Sequence, residues 1–304
     1  MNNSIIAVVV TYNRKDDLAL NLDALYHQSY PLDMIVVVNN CSSDGTKDFL
    51  EKESKQRDNL KVINMKKNVG GAGGFYEGTR QAYLKNADYI WLMDDDGRPL
   101  DKYSLERLVL HTQEIKAENP LIMINSMVTY DSETMSFGLI DGLYTIEETL
   151  SQATNDIIPN RINPFNGTLV SSELVKKIGF PNKDFFIKGD EFDYMCRAQS
   201  VGAYIATVCT SRFFHPKVVM ETKKILGKTL ICHIEAPWKE YYRARNYTYM
   251  YKNNSNYFKC FKSFIQRSLD ALLLAHKKTE TIKMIYKGFL DGIRENMGAT
   301  VTPR

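Results

Sequence analysis

The sequence predicts an α/β fold: a mostly parallel sheet covered by helices on both faces, followed by a helical C-terminal region. Two observations predict it. Over about the first hundred residues, short β-branched apolar runs alternate with segments of helical period, and polar residues gather just after each run. From Pro237 onward the strand pattern stops and only helical spacing remains. Ser4–Val10 is apolar and β-branched, a buried strand. Lys15–Gln28 carries Leu18, Leu22 and Leu25 at helical spacing. Met34–Val38 is a second strand, and Asp44-Gly45-Thr46 opens a helix through Phe49 and Leu50 with Asp44 as its cap. Leu60–Met65 and Ala87–Met93 are strands flanking a helix over Gly74–Asn86. A further helix starts at Asp101 or Ser104 and runs to Lys116, and Leu121–Met127 is a strand. Residues 129–165 carry no readable period. Ser171–Ile178 and Asp190–Val201 read as helices, and Ala203–Val208 as a strand. The domain boundary is expected near residue 235, with 1–235 as the α/β domain and 236–304 as the helical region.

Composition is that of an ordinary globular protein, 44% hydrophobic and 25% charged over 304 residues. The net charge of +3 is unevenly placed. Residues 236–304 hold 13 Lys/Arg against 5 Asp/Glu, a balance of +8, which leaves −5 for residues 1–235. Such a tail suits an anionic surface, and no nucleic-acid partner is expected. Within it, Tyr257–His276 sets Phe261, Phe264, Ile265, Leu269 and Leu272 near one face, with Lys259, Lys262, Arg267 and Lys277 elsewhere. Peripheral membrane contact and packing against the α/β domain are both open for this tail, as is self-association. Five cysteines without a CxxC pair suit a reducing compartment. No signal peptide and no spanning helix are expected, so the reading is cytoplasmic, with the inner membrane face as one place of work.

Asp94-Asp95-Asp96 follows the apolar run Tyr89–Met93 directly and is closed by Gly97. Adjacent carboxylates at a strand end repel one another, and a hard divalent cation, Mn²⁺ or Mg²⁺, relieves that repulsion. In open α/β sheets ligands gather at this edge, so a phosphorylated or nucleotide-linked substrate is expected. Asp94 and Asp96, the outer pair, suit a metal diphosphate. Asn68-Val69-Gly70-Gly71-Ala72-Gly73-Gly74-Phe75 lets a ligand approach backbone and begins a helix. It satisfies neither GxGxxG in any register nor a P-loop. Asp190-Glu191 follows the aromatic approach Phe185-Phe186-Ile187-Lys188-Gly189. It suits either helix capping or a general base. His215, in Phe213-Phe214-His215-Pro216, reads as a packed histidine or a ligand. Trp238–Asn246 mixes aromatics and cations, and reads as core packing with a basic face or as contact with a phosphate or lipid-linked acceptor.

Together, over roughly residues 4–250, these motifs resemble the inverting family 2 glycosyltransferases of the GT-A fold. Val8–Arg14 is similar to the family's opening strand and nucleotide loop, which implies donor contacts from Thr11, Tyr12 and Arg14. Val37–Thr46 is similar to its second motif, where Asn39 stands at the place of the Asp that usually meets uracil. The Asp triplet resembles the DXD motif. This implies metal and diphosphate binding by Asp94 and Asp96, with Asp95 toward the sugar or ribose. Asp190-Glu191 resembles the acidic pair that supplies the base. The base position falls on Glu191, where many members have Asp, and the choice between Asp190 and Glu191 stays open. His215 matches the histidine that completes the metal site in some members. Asn68, Gly70, Gly71 and Gly73, with the triplet and Phe186–Glu191, look most like the galactofuranosyltransferases. Rhamnosyltransferases share much of this pattern.

The resemblance implies a metal-dependent inverting transfer of galactofuranose from UDP-galactofuranose to a glycan or lipid-linked acceptor, in cell-surface polysaccharide synthesis. A dTDP-rhamnose-dependent enzyme is the alternative, and a non-catalytic sugar-nucleotide-binding scaffold is a third.

Overall fold

The computed structural model of the protein describes residues 3–140, 142–218, 221–225 and 228–302. The chain divides into two units, Met1–Pro181 with Tyr194–Lys217, and Asn182–Asp193 with Val218–Arg304.

The first unit holds a nine-stranded sheet. Its strands are β1 (Ile5–Thr11), β2 (Met34–Asn39), β3 (Leu60–Asn64), β4 (Tyr89–Asp94), β5 (Arg98–Pro99), β6 (Ile122–Thr129), β7 (Ile157–Pro159), β8 (Asn166–Ser171) and β9 (Tyr204–Phe214). The order is β3-β2-β1-β4-β8-β6-β9-β5, with β7 also on β9. The first four strands are parallel, and β8 runs antiparallel between β4 and β6. The helices are α1 (Lys15–Tyr26), α2 (Thr46–Glu53), α3 (Gly70–Leu84), α4 (Ser104–Ile115), α5 (Ile146–Leu150), α6 (Ser172–Ile178) and α7 (Asp190–Ser200), the last shared between the units.

The period of two along β1 divides the core. Ile5, Ala7 and Val9 face Leu18, Leu22 and Leu25 of α1 and Leu105 and Leu108 of α4. Ile6, Val8 and Val10 face Phe75 and Ala82 of α3. Register then lines up the strand ends: Thr11 pairs with Asn39, Asn39 with Asn64, and Val10 with Asp94.

Several elements differ from expectation. The helix α3 starts at Gly70, so the glycine segment is its first turn. A side chain at Gly74 would meet Val10 Cγ1 at 2.5 Å, and one at Gly78 would collide with Val8. The glycines let this helix lie close on β1. Asp44 stands one residue outside α2, because Gly45 at φ 88° occupies the cap position. Its carboxylate instead accepts the N–H groups of Lys15 at 3.0 Å and Thr46 at 3.1 Å, tying the starts of two helices together. Residues 129–165 fold into α5, β7 and a small cluster of Met135, Leu139 and Ile158 on Met127 and Cys209.

The second unit contains the hairpin β10 (Glu221–Ile225) and β11 (Lys228–Cys232), then α8 (Pro237–Asn253), α9 (Tyr257–Leu274) and α10 (Lys278–Arg294). Gly288 and Gly292 of α10 lie against the backbone of α8 at Tyr241 and Arg245, where any side chain would collide. Tyr241, Tyr242 and Arg245 are fully buried. Lys239 and Arg243 pair with Glu235 at 3.3 and 3.0 Å. The segment 238–246 is thus chiefly core, and its cations are satisfied within the protein. Among the described residues no helix is long and apolar enough to cross a membrane.

Candidate active site

The carboxyl edge of the parallel strands carries a network of short side chains. Asn39 donates to Asn64 Oδ1 at 2.8 Å and accepts the Ser42 N–H at 3.1 Å. Asn40 donates to Asn68 Oδ1 at 3.0 Å and accepts the Val69 N–H at 2.9 Å. Asn68 in turn accepts the Gly70 N–H at 2.8 Å at the head of α3. Asn13, at φ 53°, accepts the Ser43 N–H at 2.7 Å, and its own N–H donates to Ser42 Oγ at 3.0 Å. These bonds lock three strand-end loops to one another. Tyr12 and Arg14 stay exposed at the rim.

The Asp triplet is arranged unequally. Arg14 Nη1 bridges Asp95 Oδ1 at 3.0 Å and Asp96 Oδ2 at 2.6 Å. The cation that first answers the crowding of carboxylates is thus this arginine. Asp95 is buried, and its carboxylate also accepts the Tyr12 N–H at 3.2 Å. Burial pushes Asp95 up to about 6 against the attraction of Arg14. Asp95 therefore faces inward and joins the triplet to the Thr11–Arg14 loop. Asp94 lies partly exposed at the end of β4.

Asp96 Oδ1 is buried and has no hydrogen-bond partner. His215 Nε2 stands 3.5 Å from it, and His215 Nδ1 lies 2.7 Å from Pro216 O. With its proton on Nδ1 the ring donates to that carbonyl and turns Nε2 toward Asp96 Oδ1. A carboxylate oxygen and a ring nitrogen then face one another. This fits a bound cation, and a metal-binding histidine ordinarily donates its other N–H in just this way. The ring is held at its main chain by Thr129 O, at 3.1 Å from the His215 N–H, and packs on Phe137 with centroids 4.5 Å apart. Among the described residues no group of three or more His, Cys, Asp or Glu converges as a ready-made metal site. The structure thus brings Asp96 and His215 together.

The acidic pair opens α7. Asp190 is buried, while Glu191 is partly buried and its Oε2 accepts the Gly189 N–H at 3.1 Å. Within the second unit the loop before it is strained: Phe186, Lys188 and Gly189 have φ of 64°, 70° and 88°. Asn246 of α8 holds this shape by donating to the carbonyls of Phe185, Ile187 and Lys188 at 3.0, 2.9 and 2.7 Å. Arg245 adds a bond to Phe185 O at 2.8 Å. Lys188 is drawn to Glu235 at 2.6 Å.

The glycines divide by role. Gly70 and Gly73 are buried, and a side chain at Gly73 would meet Val69 at 2.7 Å. Gly71 has open space where a side chain would go. Sequence reasoning missed Asn21. It lies on the buried face of α1 and donates to Gly97 O at 2.5 Å, which pins the turn that closes the triplet. The readable signal was a polar residue on the Leu18–Leu22–Leu25 stripe. Asn246 was hidden in a segment read only for its aromatics and cations.

A mostly parallel mixed sheet of this order, with acids and amides along its carboxyl edge, defines a glycosyltransferase of the GT-A fold. The chain belongs to glycosyl transferase family 2, whose description matches residues 6–173. It is 32% identical over 257 residues to the galactofuranosyltransferase GlfT1 of Mycolicibacterium smegmatis, covering 81% of this chain and 82% of that one. It is 24% identical to the dTDP-rhamnosyl transferase RfbF of Shigella flexneri, over 97% of both chains. In fold it is similar to GalNAc-T7 solved with UDP, GalNAc and Mn²⁺. There the TM-score is 0.59 at 13% identity, covering 96% of this chain and 56% of that one.

Proposed function

We propose that this enzyme transfers galactofuranose from UDP-galactofuranose to a glycan or lipid-linked acceptor of the cell surface, with inversion and with Mn²⁺ or Mg²⁺. The pairing of Asp96 Oδ1 with His215 Nε2 beside Arg14 carries the metal-diphosphate part. The likeness to a galactofuranosyltransferase over most of the chain supports the donor.

Asp96 and His215 would hold the ion, with Asp94 at the neighbouring strand end. Bound there, it supplies Lewis-acid neutralisation of the departing diphosphate. Arg14 keeps Asp95 and Asp96 oriented and lends positive charge beside the phosphates. Thr11, Tyr12 and Asn39 form the nucleoside side. Asn68 and Gly70 shape the start of α3, and Gly71 offers open backbone to the donor. Glu191 takes the proton of the acceptor hydroxyl as that oxygen bonds to the anomeric carbon and the bond to the diphosphate oxygen breaks. Asp190, buried next to it, is the alternative base.

Transfer assays with UDP-galactofuranose, Mn²⁺ and a lipid-linked glycan test this reading. No turnover with any nucleotide sugar across a broad acceptor panel would defeat it. The likeness to a dTDP-rhamnosyl transferase over the whole chain favours one second reading. Protection against thermal unfolding by dTDP but not by UDP selects it.

A further inference from the structure

The helix α9 carries an apolar stripe that nothing in the sugar-transfer site uses. Phe258, Phe261, Ile265, Leu269 and Leu272 recur at steps of three and four residues, so they lie in one row along the helix. All five are exposed, from 48% at Leu269 to 79% at Phe258. The row spans about 20 Å at the ordinary rise of a helix. The opposite face is already occupied. Cys260 and Ala271 are buried, Phe264 packs on Phe289 of α10 at 4.6 Å, and Arg267 pairs with buried Glu240 of α8. Burial of that inner face explains why α9 folds; Phe261, at the edge of the outer row, also reaches Phe289 with ring centroids 5.5 Å apart, while Phe258, Ile265, Leu269 and Leu272 stay exposed. Tyr257 at the start of the helix and Tyr286 of α10 are also exposed, and Tyr286 lies 6.3 Å from Phe264 by ring centroids. They widen the patch with aromatic rings that carry a polar tip.

Charge decides what meets this face. Lys259 and Lys262 flank the row and are exposed, and the chain just beyond α9 adds exposed Lys277 and Lys278. Asp270 is the helix's one acid, and it is partly buried, 4.0 Å from Arg267 and accepting from Gln266 at 2.9 Å. The row is therefore apolar at its centre and cationic at its edge. A two-fold contact with a second copy would gather the lysines of both chains along one seam without exposed acids of α9 to meet them. An anionic bilayer offers hydrocarbon to the centre and phosphate to the edge.

We infer that the outer face of α9 lies in the interfacial plane of an anionic lipid membrane, with Phe258, Phe261, Ile265, Leu269 and Leu272 inserted and Lys259 and Lys262 on the headgroups. The inference stands on the helix and not on the sugar-transfer reading, because vesicle binding is measured without donor or acceptor.

The test is co-sedimentation of the full chain with vesicles of phosphatidylcholine alone and of phosphatidylcholine mixed with phosphatidylglycerol. The wild type pellets with the mixed vesicles, and salt weakens this binding without abolishing it, since insertion of apolar side chains is not screened. Ile265→Ser with Leu269→Ser lowers binding about tenfold or more. Its melting temperature and its protection by UDP remain those of the wild type. Lys259→Glu with Lys262→Glu removes the preference for the anionic vesicles. A wild type that stays in the supernatant, an apolar-face variant that pellets as the wild type does, or a dimer that Ile265→Ser with Leu269→Ser splits would each overturn the inference.

Discussion

His215 Nε2 stands 3.5 Å from Asp96 Oδ1, and its other ring nitrogen lies 2.7 Å from Pro216 O. A carboxylate oxygen and a ring nitrogen thus face one another, the donor pair that the proposed metal site uses. Asp96→Asn and His215→Ala should each lower Mn²⁺ affinity about tenfold or more, read by titration calorimetry or by the Mn²⁺ resonance signal. Both proteins should keep the wild-type melting temperature in metal-free buffer more closely than Arg14→Ala, which frees two carboxylates at once. Equal Mn²⁺ affinity in all of them would remove the pair from the metal site.

Two glycines of one helix separate packing from binding. Gly74→Ala forces a side chain onto Val10 of β1, and should destabilise the protein by about 1–3 kcal/mol. Gly71→Ala meets open space and adds helix propensity, so it should leave the melting temperature unchanged or slightly higher. If the donor lies against Gly71, that same substitution raises the KM for the sugar nucleotide. Chemical denaturation paired with donor kinetics distinguishes the two effects, and a stable Gly71→Ala with wild-type KM takes Gly71 out of the donor site.

Where hydrophobic period and strand-end polarity spoke together, the sequence was readable. The β1–β4 strands and their helices fall close to the expected places, and Asp94–Asp96 lies at the carboxyl edge because β4 is apolar until Met93. The central strand β8 was not readable. It has six residues, begins with Asn166-Gly167, and is bulged against β4, so it shows little alternation. Gly167 looks like a turn, yet it is needed because a side chain there would strike the ring of Phe213. The strand β9 was read short for a similar reason, since its bulge near Val208 breaks the pattern before Phe213, Phe214 and His215. The partnership of Arg14 with Asp95 and Asp96 spans about eighty positions and leaves no local trace.

Stability at acid pH should follow Glu235. Despite burial, Lys188, Lys239 and Arg243 hold its carboxyl at about 2, below the ordinary value of 4.5. A carboxylate with a depressed folded value contributes stability that is fully present above the unfolded value and lost as pH falls through the folded one. The contribution, up to about 3 kcal/mol, should therefore be intact above pH 4.5 and disappear toward pH 2. Urea unfolding of the wild type and Glu235→Gln across that range checks this. The two curves should be furthest apart near neutrality and meet at the acid end. A gap that does not depend on pH would show that the cluster contributes through packing and not through charge.

Asp190 and Glu191 differ in surroundings, and their substitution should differ in effect. Asp190 is 5% exposed at the start of α7, so removing its charge disturbs the helix as well as any chemistry. Glu191 is partly buried, and one oxygen accepts the Gly189 N–H at 3.1 Å while the loop is shaped by Asn246. Glu191→Gln keeps the size of the side chain and should lower kcat by about 10²–10⁴, the usual loss of a general base, at unchanged melting temperature and UDP affinity. Asp190→Asn should lower the melting temperature, and its effect on kcat should be the smaller of the two. Asn246→Ala supplies a control that leaves both acids in place. It releases the strained loop, so kcat falls together with the melting temperature, whereas Glu191→Gln should lower kcat alone. If Asp190→Asn is the slower enzyme and retains its melting temperature, the base is Asp190. If neither change lowers transfer by about tenfold, the proton leaves by another group and the pair serves α7 alone.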